Sequence, residues 1–98
     1  MLQARPGLCG RVWFEAREIP AYDGGLRVEC SLPDADAETL ADALEARRAG
    51  GGHAWGTSLC EDEIDVQVKC MRLRLSAQEA AELARGIRRA IAWPEGHP

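Results

Sequence analysis

Four cysteines and two histidines are the side chains of this protein best suited to metal binding or nucleophilic catalysis. The cysteines are Cys9, Cys30, Cys60 and Cys70. None belongs to a C-x-x-C pair, the spacing that structural zinc sites usually show. Cys30 and Cys70 are each in phase with the valine two residues before them, so we expect both to point into the core as small hydrophobic residues.

Cys9 and Cys60 are the better candidates for exposed thiols, but the setting of Cys60 disfavours a nucleophile. It precedes Glu61-Asp62-Glu63, whose negative field opposes formation of a thiolate. A catalytic pair with His53 would also need a third, orienting group. We therefore predict no catalytic, cofactor-binding or metal-binding residue and a protein that is not an enzyme. A thiol- or metal-dependent enzyme is the least favoured alternative.

Two other patterns resemble ligand-binding loops only in composition. Gly50-Gly51-Gly52 lacks the G-x-x-x-x-G-K-[ST] pattern of a P-loop, and it follows a predicted helix, whose C-terminal dipole repels phosphate. Glu61-Asp62-Glu63 with Asp65 lacks the spacing and the central glycine of an EF-hand loop. A solvated turn is the expected structure of this acidic segment.

Charge is distributed unevenly along the chain, whose net charge is −4. Residues 31–65 hold nine acids and two arginines, and residues 66–92 hold six basic residues and two glutamates. Five arginines of the second region could form a patch that contacts phosphates: Arg72 and Arg74 on a predicted strand, and Arg85, Arg88 and Arg89 on a predicted helix. Nucleic-acid binding by this patch is the second function hypothesis, and the negative net charge opposes it.

Trp13 indicates a different function. In the alternation of its strand it faces away from Val12 and Phe14, on the same side as Arg11 and Arg17. Tryptophan and arginine are favoured anchors of protein interfaces. If helices cover only one side of the sheet, Trp13 lies on the open side; if the tail or the core covers it, Trp13 is a packing residue.

Alternating apolar residues predict two strands in the first third of the chain. They cover residues 8–19 and 26–32, and the Asp23-Gly24 pair favours a hairpin turn between them. A helix follows Pro33, capped by Asp34 or Asp36 and stopped by the three glycines at 50–52.

The second half repeats this order. Residues 53–60 predict a short strand and 64–75 a strand whose apolar phase flips at Met71, which indicates a β-bulge near Cys70–Met71. Ser76-Ala77-Gln78-Glu79 is a capping box that begins the last helix, which ends before Trp93-Pro94.

The predicted fold is therefore α+β: a two-layer sandwich in ββαββα order, with a mainly antiparallel sheet and two helices on one face. Val28-Glu29-Cys30 and Val68-Lys69-Cys70 each precede a predicted helix that ends in Arg-Arg-Ala. This echo indicates either a duplicated ββα unit or two separate uses of the same supersecondary unit. Strand order stays open, because the pattern permits one sheet or a sheet shared between protomers. Residues 1–93 are expected to form a single domain and 94–98 a frayed tail.

The composition indicates a small cytoplasmic protein. No apolar run resembles a secretory signal or a membrane span, and the excess of arginine over the single lysine, Lys69, is typical of bacterial or phage genes of high GC content. The favoured function is a non-catalytic protein–protein interaction module: a regulator, an inhibitor or immunity-type protein, or a complex subunit. Its partner is another protein or a second copy, the acidic face of one helix meeting the arginine flank of another.

Overall fold

Alternating apolar strands and two amphipathic helices make up the computed structural model, which describes residues 2–7, 10–16, 28–52, 54–69 and 71–92. In chain order the elements are β1 (Leu2–Pro6), β2 (Arg11–Ala16), β3 (Val28–Pro33), α1 (Asp34–Ala46), β4 (Gly50–Gly51), β5 (Trp55–Cys60), β6 (Glu63–Val68), β7 (Met71–Ser76) and α2 (Ala77–Ala92). The predicted α+β class with antiparallel strands is confirmed. β1 and β4 were not predicted from the sequence.

The strands form two sheets. The N-terminal sheet has the order β1-β2-β3 and the C-terminal sheet the order β4-β5-β6-β7, and every neighbouring pair is antiparallel. The two central strands bury one face completely, because every second residue is apolar and points toward the helices. These residues are Val12, Phe14 and Ala16 on β2 and Ile64, Val66 and Val68 on β6.

The predicted β-bulge at Cys70–Met71 is wrong. Val68 and Met71 are opposite each other in the β6–β7 register, so the change of phase marks the turn between two antiparallel strands. Lys69 takes the positive φ of 53° that such a turn requires. The acidic turn before β6 has the same construction, with Glu61 at a φ of 54°.

The two helices begin differently. The capping box of α2 is confirmed: the Glu79 N–H donates to Ser76 Oγ at 3.2 Å, and the Ser76 N–H donates to Glu79 Oε1 at 3.0 Å. The expected cap of α1 by Asp34 or Asp36 is wrong, because Pro33 is the N-cap residue and no side chain caps the helix. A backbone contact serves instead, since the Asp34 N–H donates to the Gly10 carbonyl at 2.9 Å.

The glycines at 50–52 do not end α1, contrary to expectation. The helix ends at Ala46, and Arg47 adopts the left-handed conformation with φ 51° and ψ 57°. The Arg47 guanidinium donates to the Asp62 carbonyl at 3.0 Å, and the Arg48 N–H donates to the Ala43 carbonyl at 3.1 Å. Gly50 and Gly51 are thereby left free to form β4.

Two units with the same strand registers follow one another in the chain. In each, a middle strand pairs with one strand before it and one after it, and the third strand leads directly into a helix. The buried positions of α1 recur at a constant interval in α2: Ala37, Leu40, Ala41 and Leu44 correspond to Ala80, Leu83, Ala84 and Ile87. The repeated unit is therefore βββα, and the echo from which a ββα unit was predicted is not part of it, because Val28 begins β3 whereas Val68 ends β6.

The helices pack crosswise between the units. α2 contacts β1 far more than its own β7, and Gly86 lies against Ala4, since a Cβ at Gly86 would be 3.7 Å from Ala4 Cβ. α1 contacts β5 as well as its own β3, and it packs along α2. One apolar cluster consequently contains buried residues of both sheets and both helices.

Candidate functional site

The N-terminal sheet presents a polar face, opposite the helices, with one large aromatic side chain in its middle. We call this surface the Trp13 face. Its residues are Gln3 and Arg5 on β1, Arg11, Trp13 and Glu15 on β2, and Glu29 and Ser31 on β3. They share the face because they alternate with the buried residues of the same strands.

Trp13 lies on the central strand, between Arg5 of β1 and Ser31 of β3. Its side chain is 36% exposed. Gly7 lies against the indole: a Cβ there would be 2.1 Å from Trp13 Cδ1 and 2.5 Å from Nε1. Only glycine lets the backbone approach the ring this closely, so the indole is held on one side and open on the other.

The polar neighbours of Trp13 are held in place. The Arg5 guanidinium donates to Glu29 Oε1 at 2.9 Å and lies 3.5 Å from Glu15 Oε2. The Arg11 guanidinium donates to Ser31 Oγ at 2.9 Å and to the Ser31 carbonyl at 3.3 Å. Glu15 is only 5% exposed although it lies on this face. The tryptophan therefore stands among side chains that are already ordered.

The arginines of β7 lie on the polar face of the C-terminal sheet. Arg74 binds Asp65 through two hydrogen bonds, of 2.8 and 3.5 Å, and these hold the pKa of Asp65 below its ordinary value. Arg72 is exposed on the same strand. Of this predicted pair, only Arg72 makes no ion pair among the described residues.

The arginines of α2 lie in the helix layer, on the opposite side of the molecule. Arg88 donates to Glu45 Oε1 and to Asp42 Oδ1 of α1, both at 2.6 Å. Hydrogen bonding to Glu45 and then to Asp42 raises the pKa of Arg88, and the same bond lowers that of Glu45. Arg85 and Arg89 are exposed. The five arginines are thus split between two faces, and Arg74 and Arg88 are bound to carboxylates.

The structure places two of the four cysteines. Cys30 is buried as expected, and its thiol donates to the Val68 carbonyl at 3.7 Å, which joins the two sheets. Cys60 is exposed at the end of β5, opposite Glu63. No group of three His, Cys, Asp or Glu residues in the described ranges could hold a metal ion. Several predicted features lie outside those ranges: Cys9, Arg17, the turn at 20–25, His53, Cys70, Trp93 and the tail at 94–98.

Two surface features were missed by sequence reasoning. Leu59 alternates with Trp55 and Thr57 along β5, but it is 51% exposed while those two are buried. A groove of about 310 Å³ also lies between β1 and α2. It was missed because Leu2–Pro6 gives only a weak alternating pattern.

Comparison with known protein families, curated proteins and solved structures gives no match. Neither helix in the described part of the chain is long and apolar enough to cross a lipid bilayer.

Proposed function

We propose that this protein is a non-catalytic binding domain that holds another protein on its Trp13 face. The observation that supports this is the exposed indole of Trp13, at the centre of a sheet surface whose other side chains are hydrogen-bonded. A large aromatic group surrounded by ordered polar groups is the usual arrangement of an interface anchor.

The side chains of the Trp13 face suit a protein partner. An indole that enters a pocket of the partner buries a large apolar area, and its N–H can still donate a hydrogen bond. Arg5 and Arg11 lose little side-chain entropy on binding because Glu29 and Ser31 already orient them. Their remaining N–H groups suit carbonyl or carboxylate groups at the rim of such a pocket.

Nucleic-acid binding through the arginine patch is less well supported by the same geometry. Phosphate binding needs several free cations on one surface. Arg72 and Arg74 lie on the sheet side and Arg85, Arg88 and Arg89 on the helix side, and two of the five are bound to carboxylates.

The test compares Trp13→Ala with Leu59→Ala, since these are the large hydrophobic residues exposed on the described surface. Each tagged variant captures proteins from host lysate with and without nuclease, and the captured protein is then purified and titrated by calorimetry. We expect Trp13→Ala to weaken the affinity roughly 30-fold, a loss of about 2 kcal/mol typical of an interface anchor, and Leu59→Ala to leave it unchanged.

Two results would overturn the proposal. Equal affinity of both variants for the captured protein would place the contact elsewhere on the surface. Capture that disappears with nuclease and falls steeply with salt would show that the ligand is nucleic acid. Circular dichroism of both variants checks that the fold is retained.

A further inference from the structure

The two units differ at their outer edges. In the C-terminal unit β4 covers the edge of β5: Gly50 lies opposite Thr57, Gly51 lies opposite Gly56, and the Gly52 N–H donates to the Trp55 carbonyl at 2.9 Å. The strand of the N-terminal unit that is equivalent to β5 is β1. Within the described ranges, no strand pairs with the outer edge of β1.

The β1–β2 register shows which backbone groups of β1 point outward. The Gly7 N–H donates to the Arg11 carbonyl at 3.1 Å, and hydrogen-bonded pairs alternate along an antiparallel ladder. Gln3 and Arg5 are therefore bonded to β2, while the N–H and C=O groups of Leu2 and Ala4 point away from it. An exposed edge of this kind is a template for another strand.

The groove between β1 and α2 flanks this edge. Gly86 of α2 lies over Ala4, with Glu82 on one side of it along the helix and Arg89 on the other. No ion pair engages Glu82 or Arg89 in the part of the chain that the structure describes. They contrast with Arg88, which lies in the same turn as Arg89 and is bound by two carboxylates.

We infer that a second copy of this chain occupies the edge, with the two β1 strands antiparallel about a two-fold axis close to Ala4. Such a pairing doubles the three-stranded sheet and sets the two α2 helices antiparallel beside it. Because Glu82 and Arg89 lie on opposite sides of Gly86, the axis brings each Glu82 to the partner's Arg89. The charge order along α2 is self-complementary for this one arrangement.

Dimerisation would also stabilise a fold that has a small hydrophobic core. A chain of 98 residues has a thin core, and an open strand edge exposes it to uncontrolled pairing. Pairing at β1 satisfies the outward N–H and C=O of Ala4 and the outward N–H of Leu2, which faces the partner's Pro6 carbonyl, whereas Pro6 has no N–H to donate in return. This inference does not depend on the Trp13 proposal, and Trp13→Ala is expected to remain dimeric.

Charge-swap variants test the dimer by sedimentation equilibrium. Glu82→Arg places like charges against the partner's Arg89, and Arg89→Glu places them against the partner's Glu82. We expect each to weaken dimerisation roughly tenfold or more. An equimolar mixture of the two variants restores opposite charges at both contacts, so the mixture is expected to form a heterodimer as stable as the wild-type dimer.

Two matched variants complete the experiment. Arg85→Glu makes the same charge change on α2 outside the groove lining and is expected to leave dimerisation unchanged. Ala4→Pro removes an outward N–H and keeps the β1–β2 bonds, and it is expected to give a monomer. A wild-type chain that is monomeric at its solubility limit, or a mixture of charge swaps that forms no heterodimer, overturns the inference even if Ala4→Pro fails to fold.

Discussion

The two βββα units share their registers but use their first strands differently. Each has a tryptophan close to a glycine: Gly7 lies against Trp13, and Gly52 lies against Trp55. Trp55 is only 8% exposed and lies beside β4, whereas Trp13 stays open on the polar face of its sheet. In the C-terminal unit the first strand is therefore paired with β4 and the tryptophan is buried. In the described part of the N-terminal unit the first strand has an unpaired outer edge and the tryptophan is exposed, so the surfaces suited to binding lie mainly in this unit.

The largest expected effect tests whether the units are energetically independent. Leu40 and Leu83 are equivalent positions of α1 and α2, and both are buried. Truncating either leucine to alanine is expected to cost about 2–5 kcal/mol, because a core cavity remains. Chemical denaturation followed by circular dichroism and tryptophan fluorescence is expected to show one cooperative transition for each variant. Two separate transitions would show that the units fold on their own.

The next effect concerns the contact between glycine and indole at Trp13. Gly7→Ala places a methyl group inside the van der Waals radius of the ring and 2.8 Å from the Arg11 carbonyl, so we expect a loss of about 1–3 kcal/mol. Tryptophan fluorescence measures the displacement of the indole, and chemical denaturation measures the loss in the free energy of unfolding. Gly56→Ala is the control, because its Cβ would be 3.8 Å from the Gly50 carbonyl, an ordinary contact. Equal stability of both variants would contradict the tight packing of Trp13.

The helix starts provide a third test. Ser76→Ala removes the side-chain cap of α2 and is expected to cost about 1 kcal/mol in the free energy of unfolding. Ser58→Ala, at an exposed strand position, is the control. The Ser76 backbone N–H also lowers the pKa of Glu79, so the capping box stabilises the fold above the ordinary glutamate pKa of 4.5. Ser76→Ala keeps this backbone bond but removes the Ser76 hydroxyl, which also lowers the pKa of Glu79, so the cost is expected to diminish below that pH. A cost that is independent of pH would argue against the contact between the hydroxyl and the carboxylate.

The smallest expected effect concerns the bridge between the helices. Arg88→Met removes the hydrogen bonds to Asp42 and Glu45 and is expected to lower stability less than Ser76→Ala does, because the pair is largely exposed. Folding lowers the pKa of Glu45, so this contribution is present above pH 4.5 and is lost as the pH falls through the folded value. Urea titrations at neutral and acidic pH, with Arg85→Met as control, measure the difference. If the loss of stability caused by Arg88→Met were larger at acidic than at neutral pH, this prediction would be wrong.

Local patterns predicted the elements whose signals lie within a few residues. The capping box at Ser76, the buried stripe of α2 and the alternation of β2 and β6 follow from periodicity and cap chemistry. β4 was missed because Gly50 and Gly51 have no side chains to alternate, and their pairing depends on Thr57 and Gly56, which lie elsewhere in the chain. The prediction of a bulge at Met71 was wrong because a change in the phase of apolar alternation occurs both at a bulge and at a turn between two strands.

The candidate surfaces were predictable only in part. The side of β2 that carries Trp13 followed from alternation, but its exposure depends on which strand face the helices cover. The fate of the arginines depends on tertiary contacts: Arg88 meets Asp42 and Glu45 only because α1 and α2 pack side by side. The groove at β1 is likewise made by elements from opposite ends of the sequence.

The crosswise packing of α2 on β1 has a consequence for synthesis on the ribosome. Gly86 lies against Ala4 but is translated 82 residues after it. Until then the apolar side of β1 has no helix to cover it, and the same holds for Leu2. The N-terminal sheet therefore cannot bury this side of β1 against its helix until α2 has been made.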